Sequence, residues 1–309
     1  MRHWALPLLR CQACGATALH TGSDAVICDA CGLSYPTRDD VSDFLHELHP
    51  VASRERTAVH QIDRRQGAPA EWTADVLGRL HEGRLTAEEV AGTPHLRVIE
   101  ESREQVLDLL AREPLPPDAV VLELGADVGW VSSILVDAGC RVIGTDITDH
   151  LFLAPYRDSP RLCRILADMN RVPFGDATMD AVWATACVHH SWDLRRTFRE
   201  IARVLRPGGQ AWLCCEPIPP RLRYVLARGV GDEERALGIN ETWIARGTWL
   251  DACRAAGLHP RLIRPRLDPN RLRERLARHR LPRAAAALMR PVLPWLQVSV
   301  HLLAAKPAA

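Results

Sequence analysis

Cys11-Gln-Ala-Cys14 and Cys28-Asp-Ala-Cys31 form two C-x-x-C pairs separated by 13 residues, each followed by a glycine, Gly15 or Gly32. A C-x-x-C turn aims two thiolates at one centre, and the glycine after it lets the backbone curl so that amide N–H groups face the sulfurs. Two such turns complete a tetrahedron suited to Zn2+. Four thiolates leave no open coordination position, so the expected role is structural rather than catalytic. A single pair would suit a redox dithiol or chance burial equally well; the matched second pair favours metal. The spacer, with Leu19, Val26 and Ile27, reads as a hairpin that brings the pairs together. So short a segment has little core of its own, and metal binding would supply the missing stability.

A second set of residues is acidic and surrounds a glycine loop. Val120–Leu124 is an apolar run, Gly125-Ala126-Asp127-Val128-Gly129 follows, and Trp130 to Ala138 has helical spacing. Strand, glycine loop and helix in that order open a nucleotide site. The next strand, from Arg141 to Thr145, leads into Asp146, 21 positions beyond Gly125, where a carboxylate accepts from two ribose hydroxyls. Nicotinamide enzymes use the same device, so these features leave the cofactor open. The loop spacing narrows it, because a dinucleotide fingerprint needs G-x-G-x-x-G and Asp127 and Trp130 stand where the later glycines belong. Asp127 would repel a pyrophosphate at the helix N-terminus. Glu123 and Asp127 instead suit a cofactor with positive charge and no phosphate, the sulfonium of S-adenosylmethionine.

A third set is the pair His189 and His190. Leu162–Leu166 reads as a strand followed by Ala167-Asp168-Met169-Asn170 and Val172-Pro173-Phe174, and a fourth strand, Asp180–Ala184, leads to Val188-His189-His190. Leu194–Leu205 is a helix stopped by Arg206-Pro207-Gly208-Gly209, Gln210–Glu216 a fifth strand, and Leu296–Ala304 the last. Ligands of doubly wound sheets collect at the carboxyl ends of strands, so at least one imidazole is expected near the cofactor. There a histidine can take a proton from a hydroxyl or protonated amine acceptor. Packing or helix entry would use the same pair equally well.

With these motifs Val120–Pro217 resembles the class I, seven-strand S-adenosylmethionine-dependent methyltransferases of the large small-molecule group, and the likeness extends weakly through Trp249–Gly257. The resemblance implies an α/β fold: a doubly wound, mostly parallel seven-stranded sheet whose last strand runs antiparallel. It implies that Glu123, Gly125, Ala126, Asp127 and Gly129 form the loop under the methionine part of the cofactor. Asp146, with Ile147 beside it, would hold the ribose; Asp168 would accept from the exocyclic amine of the adenine while Met169 packs on the ring. The family usually has glycine at the position of Asp127, a residue that tolerates unusual backbone angles. Leu6–Leu45 resembles the short zinc ribbons related to activator subunits of tRNA and protein methyltransferases.

Composition bounds the rest. The 309 residues are 47% hydrophobic and 25% charged, which is globular, and a formal net charge of +1 gives no overall field toward nucleic acid or an anionic membrane. No run of about 18 apolar residues marks a membrane helix. Met1–Arg10 lacks the apolar core and cleavage site of a signal peptide, so a cytoplasmic address is expected. Six further cysteines (Cys140, Cys163, Cys187, Cys214, Cys215 and Cys253) lie in apolar stretches and read as reduced core residues.

The expected organisation is a zinc ribbon over 1–47, a helical bridge or cap over 48–117, and a methyltransferase domain over 118–309. Within the bridge, Val98–Arg112 is an amphipathic helix, and the segment either leans Trp72 over the cofactor or only packs on the sheet. Acceptor choice is assigned to insertions at 218–246, with Asn240-Glu241-Thr242-Trp243, and at 260–290. The latter carries ten arginines against Asp268 and Glu274. Such a stretch is either a solvated helix face or a site for RNA phosphates, a phosphorylated metabolite or an acidic lipid surface. Three functions follow: methyl transfer to an oxygen or nitrogen of a small-molecule acceptor such as a secondary metabolite, methylation of RNA, or a non-catalytic partner or regulatory role.

Overall fold

The computed structural model describes residues 1–66, 74–86, 88–89, 94–148, 150, 158–226, 232–265 and 299–308. The N-terminal segment forms β1 (Leu19–Thr21), β2 (Ala25–Cys28), β3 (Ser34–Arg38) and β4 (Val41–Asp43), an antiparallel run. Three helices follow: α1 (Pro50–Gln66), α2 (Ala74–Glu82) and α3 (Pro94–Arg112). The last starts four residues before Val98, with Pro94 at its first position, where a missing N–H costs nothing.

Then come β5 (Val120–Leu124), α4 (Trp130–Asp137), β6 (Arg141–Asp146), β7 (Leu162–Leu166), β8 (Met179–Thr185), α5 (Leu194–Val204) and β9 (Leu205–Pro217). The chain continues as α6 (Arg221–Leu226), α7 (Asp232–Leu237), α8 (Arg246–Ala255), β10 (His259–Ile263) and β11 (Ser299–Ala305). Strands β4 to β9 pair in parallel in the order β4-β7-β6-β5-β8-β9, and β11 and β10 close the far edge antiparallel. Strands covered on both faces need not alternate, and β5 and β7 are buried at every position.

The seven strands from β7 to β10 have the expected arrangement, with the last strand antiparallel. The sheet itself has eleven, because the ribbon does not stand apart. Val41, Ser42 and Asp43 lie alongside Arg164, Ile165 and Leu166, so β4 occupies what would be the open edge of β7. Arg10 N–H donates to the Pro173 carbonyl (2.9 Å) and Gly175 N–H to that of Leu8 (2.8 Å). Ala5, Leu9, Val26, Tyr35 and Phe44 share one core with Phe174, Phe198, Ile201 and Trp249. On the opposite face α2, α3 and α4 pack through Leu77, Leu80, Ile99, Val106, Leu109 and Ile134 against Val121, Val142 and Trp183.

Helix α5 shows how the sequence sets this packing. Leu194, Thr197, Phe198, Ile201 and Val204 recur at helical spacing and are buried, while Asp193 caps the N-terminus by accepting from Arg196 N–H (3.0 Å). Among the described residues no helix is long and apolar enough to cross a membrane. Trp72 and the arginine-rich stretch beyond Pro265 lie outside the described residues.

Candidate functional site

The carboxyl ends of β5, β6, β7 and β8 open into a cavity of about 310 Å3, within the range of small-molecule sites. Gly125, Asp127, Asp146, Asp168 and Cys187 line it from the strand tips; Trp130, Ile147 and Met169 supply apolar walls; Glu55 on α1 and Ile99 on α3 close it from above. Two features of the tips follow from backbone conformation. Gly125 has φ +63°, and a Cβ there would lie 2.5 Å from Cys187 Cβ, so only glycine lets the β5 loop approach the β8 loop this closely. Asp127 has φ +48° and adopts the left-handed conformation that a glycine would take at no cost. Its Oδ1 pairs with His150 Nδ1 at 2.7 Å.

Asp146 is fixed by its own neighbourhood. Asp127 N–H donates to Oδ2 (2.9 Å), while Thr148 N–H and Oγ1 donate to Oδ1 (2.8 and 2.9 Å). Burial and the nearby Asp127 nonetheless push its carboxyl above the ordinary range. Asp168 is held likewise, Oδ1 accepting from Asn170 N–H (2.8 Å) and Oδ2 from Trp192 Nε1 (2.9 Å), with burial again raising its pKa.

Glu123 differs from the other predicted cofactor residues. It is 2% exposed, lies beneath the loop facing α4, and accepts from the Ser132 hydroxyl. Burial, with smaller contributions from Asp146 and Asp127, pushes its carboxyl up to about 8, so the protonated form is favoured at neutral pH. The acidic groups that line the cavity are therefore the three aspartates at the strand tips and Glu55 on α1, not Glu123. Ala126 is buried under the loop, and Gly129, φ +76°, sits at the N-cap of α4.

The two histidines are sorted by position. Both lie on a single tight turn, Val188–His190, after β8. His190 lines the cavity, and its Nδ1 pairs with Glu55 at 2.7 Å. His189 is 6% exposed and does not line it; its Nδ1 pairs with Glu216 at 2.9 Å. Burial alone would lower the pKa of His189, but Glu216 and Glu241 outweigh it and hold the imidazole up at about 9. Glu216, at the end of β9, also accepts from the N–H groups of Cys187 (3.0 Å) and Val188 (2.9 Å). Glu241 Oε2 lies 3.3 Å from His189 Nε2 and 3.4 Å from His190 Nε2, and Asn240 Nδ2 donates to the His190 carbonyl (2.7 Å).

The four ribbon cysteines converge as their spacing requires. Their sulfurs lie within 4.8 Å of one another, with Cys11–Cys31 at 3.7 Å and Cys14–Cys28 at 3.6 Å. Tetrahedral thiolates on zinc at about 2.3 Å stand about 3.8 Å apart, so the donor set fits that ion. Gly15 (φ +75°) and Gly32 (φ +73°) make the turns, as predicted. None of the ten cysteines forms a disulfide; of the other six, five are buried, while Cys187 borders the cavity instead of filling the core.

Residues 122–213 match the methyltransferase domain family. The malonyl-[acyl-carrier protein] O-methyltransferase of Enterobacter lignolyticus is 31% identical over 117 residues, 38% of this chain and 47% of that protein. The demethylmenaquinone methyltransferase of Corynebacterium urealyticum is 35% identical over 100 residues, 32% of this chain and 42% of that protein. The chain thus spans about half the length of the curated relatives it matches. Among solved structures, a chain of a complex containing the Haloferax volcanii Trm112 methyltransferase activator aligns with TM-score 0.54 at 22% identity, covering 67% of this chain and 91% of that one. Geranyl diphosphate methyltransferase in complex with GPP and sinefungin aligns with TM-score 0.52 at 18% identity, covering 68% and 78%. These likenesses establish the Rossmann-like methyltransferase fold. The matched domain carries Glu123 through Met169 and both histidines, whereas Glu55, Glu241 and the ribbon cysteines lie outside it.

Sequence reasoning did not single out Glu55, Glu216, His150 or Trp192. Glu216 had a signal, since it ends a predicted strand at the same level as the other tips. Glu55, on α1, had none.

Proposed function

We propose that this chain is an S-adenosylmethionine-dependent methyltransferase that delivers a methyl group to an oxygen or nitrogen of a small-molecule acceptor. The observation that carries the reading is the strand-tip cavity, whose tips present the aspartates Asp127, Asp146 and Asp168 where a dinucleotide site would need phosphate-cradling glycines. The matched relatives, a malonyl-[acyl-carrier protein] O-methyltransferase and a demethylmenaquinone methyltransferase, support the reaction class.

Gly125, Ala126, Asp127 and Gly129, supported from below by Glu123, would form the loop beside the methionine part. Asp146 and Ile147 would hold the ribose, the carboxylate retaining lone pairs beyond those used by Asp127 and Thr148. Asp168 and Met169 would border the adenine. The cofactor supplies a methyl group already activated by a positive sulfur, so the protein chiefly aligns the acceptor and excludes water. Glu55 on α1 and Ile99 on α3 cover the cavity and serve that exclusion. At the end beneath β8, His190 would act on the exchangeable proton of the acceptor, oriented by Glu55, while His189 and Glu216 hold the turn. The four ribbon thiolates would bind a structural Zn2+ that fixes the β1–β4 segment on the sheet.

Calorimetric titration tests the reading. One equivalent of S-adenosylmethionine should bind, and Asp146→Ala should weaken it at least tenfold. Absence of measurable heat with both S-adenosylmethionine and S-adenosylhomocysteine would remove the reading. For the ribbon, one zinc per four cysteines should copurify, and its removal by chelator should lower the unfolding temperature.

A further inference from the structure

We propose that His189, His190 and Glu241 form a binding site for a divalent transition-metal ion of the zinc class beside the cavity at its His190 wall, distinct from the cysteine cluster. The site deepens the reading above, since it would make the acceptor one that presents an oxygen to the metal.

The argument begins with ligand aim. Both imidazoles are gripped at Nδ1 by a carboxylate, His189 by Glu216 (2.9 Å) and His190 by Glu55 (2.7 Å), and both turn Nε2 toward the same Glu241 oxygen, at 3.3 and 3.4 Å. A carboxylate on one ring nitrogen fixes the tautomer that leaves the other free to bind metal, the usual outer arrangement of metal-ligating histidines. The three candidate ligand atoms all lie within 4.8 Å of one another. Nitrogen and oxygen ligands about 2.1 Å from a metal, at angles near 90–110°, stand about 3.0–3.4 Å apart, which is the spacing of Glu241 from both rings.

Charge points the same way. Three carboxylates, Glu55, Glu216 and Glu241, face two imidazoles, so with neutral rings the cluster carries about three negative charges, of which two positive charges would leave one. Two ring protons would supply them; one divalent ion would supply the same charge by displacing those protons. Two imidazoles and a carboxylate suit Zn2+, Co2+ or Fe2+ better than Mg2+ or Ca2+, which prefer all-oxygen sites.

Three protein ligands leave coordination positions open, and one of them, His190, lines the cavity. An acceptor hydroxyl or enol bound there would lose its proton to solvent water more readily, because the cation stabilises the oxyanion, which attacks the methyl carbon as the carbon–sulfur bond of the sulfonium breaks and leaves a neutral thioether. His190 then acts as a ligand of the ion that activates the acceptor.

The test is Zn2+ titration of the full chain after one equivalent has filled the cysteine cluster. One further equivalent is expected, its affinity falling at least tenfold in His190→Gln and in Glu241→Gln. In the wild type, Co2+ at the second site should give the weak visible bands of nitrogen and oxygen ligands, without thiolate charge transfer. Saturation at the cysteine cluster alone, a second equivalent bound equally well by both variants, or a second Co2+ spectrum showing sulfur ligation would overturn the proposal and leave the cluster as a hydrogen-bonded ion pair only. Should the variants not fold, the wild-type stoichiometry and Co2+ spectrum decide it. Metal binding is read without S-adenosylmethionine, so its failure leaves the methyltransferase reading intact, and failure of cofactor binding leaves the metal site intact.

Discussion

The two halves of the cavity are built by different means. On the side of β5, β6 and β7, each aspartate at the tip of β6 or β7 has a donor two residues along the chain or in the adjacent tip, Asp146 from Thr148 and Asp127, and Asp168 from Asn170, with Trp192 alone reaching Asp168 from beyond β8. On the side of β8 and β9, the imidazoles are held by Glu55 from α1, Glu216 from β9 and Glu241 from the loop before α8, up to 135 residues away. The first half is made by local turns and survives as long as its loops do. The second exists only when the tertiary structure has assembled, so its integrity and the global stability should fall together.

The sharpest way to break that contrast is Glu216→Gln. Glu216 is fully buried and is shared by three backbone N–H groups and the His189 ring, so the substitution should cost about 3–5 kcal/mol in urea unfolding, as removal of one member of a buried charged network does. A loss below about 1 kcal/mol would show that the histidine half is not coupled to the fold.

Beneath the local half, Glu123 gives a pH signature. Its folded pKa of about 8 stands above the unfolded value of 4.5, so the folded state binds the extra proton between them, and its contribution to stability is lost as pH rises through that window. Glu123→Gln should therefore gain stability relative to wild type on the order of 3 kcal/mol between pH 5 and pH 8. A difference independent of pH would contradict the burial argument.

Gly125→Ala strikes the seam between the halves, where the new Cβ meets Cys187. Cofactor affinity should fall about 10–100-fold, equivalent to about 1.4–2.7 kcal/mol, in calorimetry. Asp193→Ala, in the cap of α5 outside both halves, should cost only about 1 kcal/mol and leave cofactor affinity unchanged.

The same division explains what the sequence could reveal. Strand β5 and β7 bounds, the glycine loop, the Asp146 tip and the converging cysteines all express contacts within one element or one turn, and periodicity and spacing record such contacts directly. The partnership of His190 with Glu55 leaves no such record, because it depends on where α1 lies across the sheet. Glu241 came to attention only as a polar residue in an insertion, without a partner to give it meaning. The placement of Glu123 below the loop was likewise hidden: alternation along β5 says that it faces opposite to Leu122 and Leu124, but which face holds Ser132 is decided by the packing of α4. The union of ribbon and sheet escaped for a related reason, since three residues, Val41–Asp43, are too few to announce which strand they will join.

That short union has a consequence for handling of the molecule in solution: among the described residues β4 is the strand that pairs with the outer edge of β7, at Arg164–Leu166. Should the cysteine cluster come apart and take β4 with it, a row of unsatisfied amide and carbonyl groups on a strand that is apolar except for Arg164 would be bared, the template on which a second chain can add. Thiol oxidation or metal stripping would then register first as self-association, before any loss of secondary structure in the rest of the sheet.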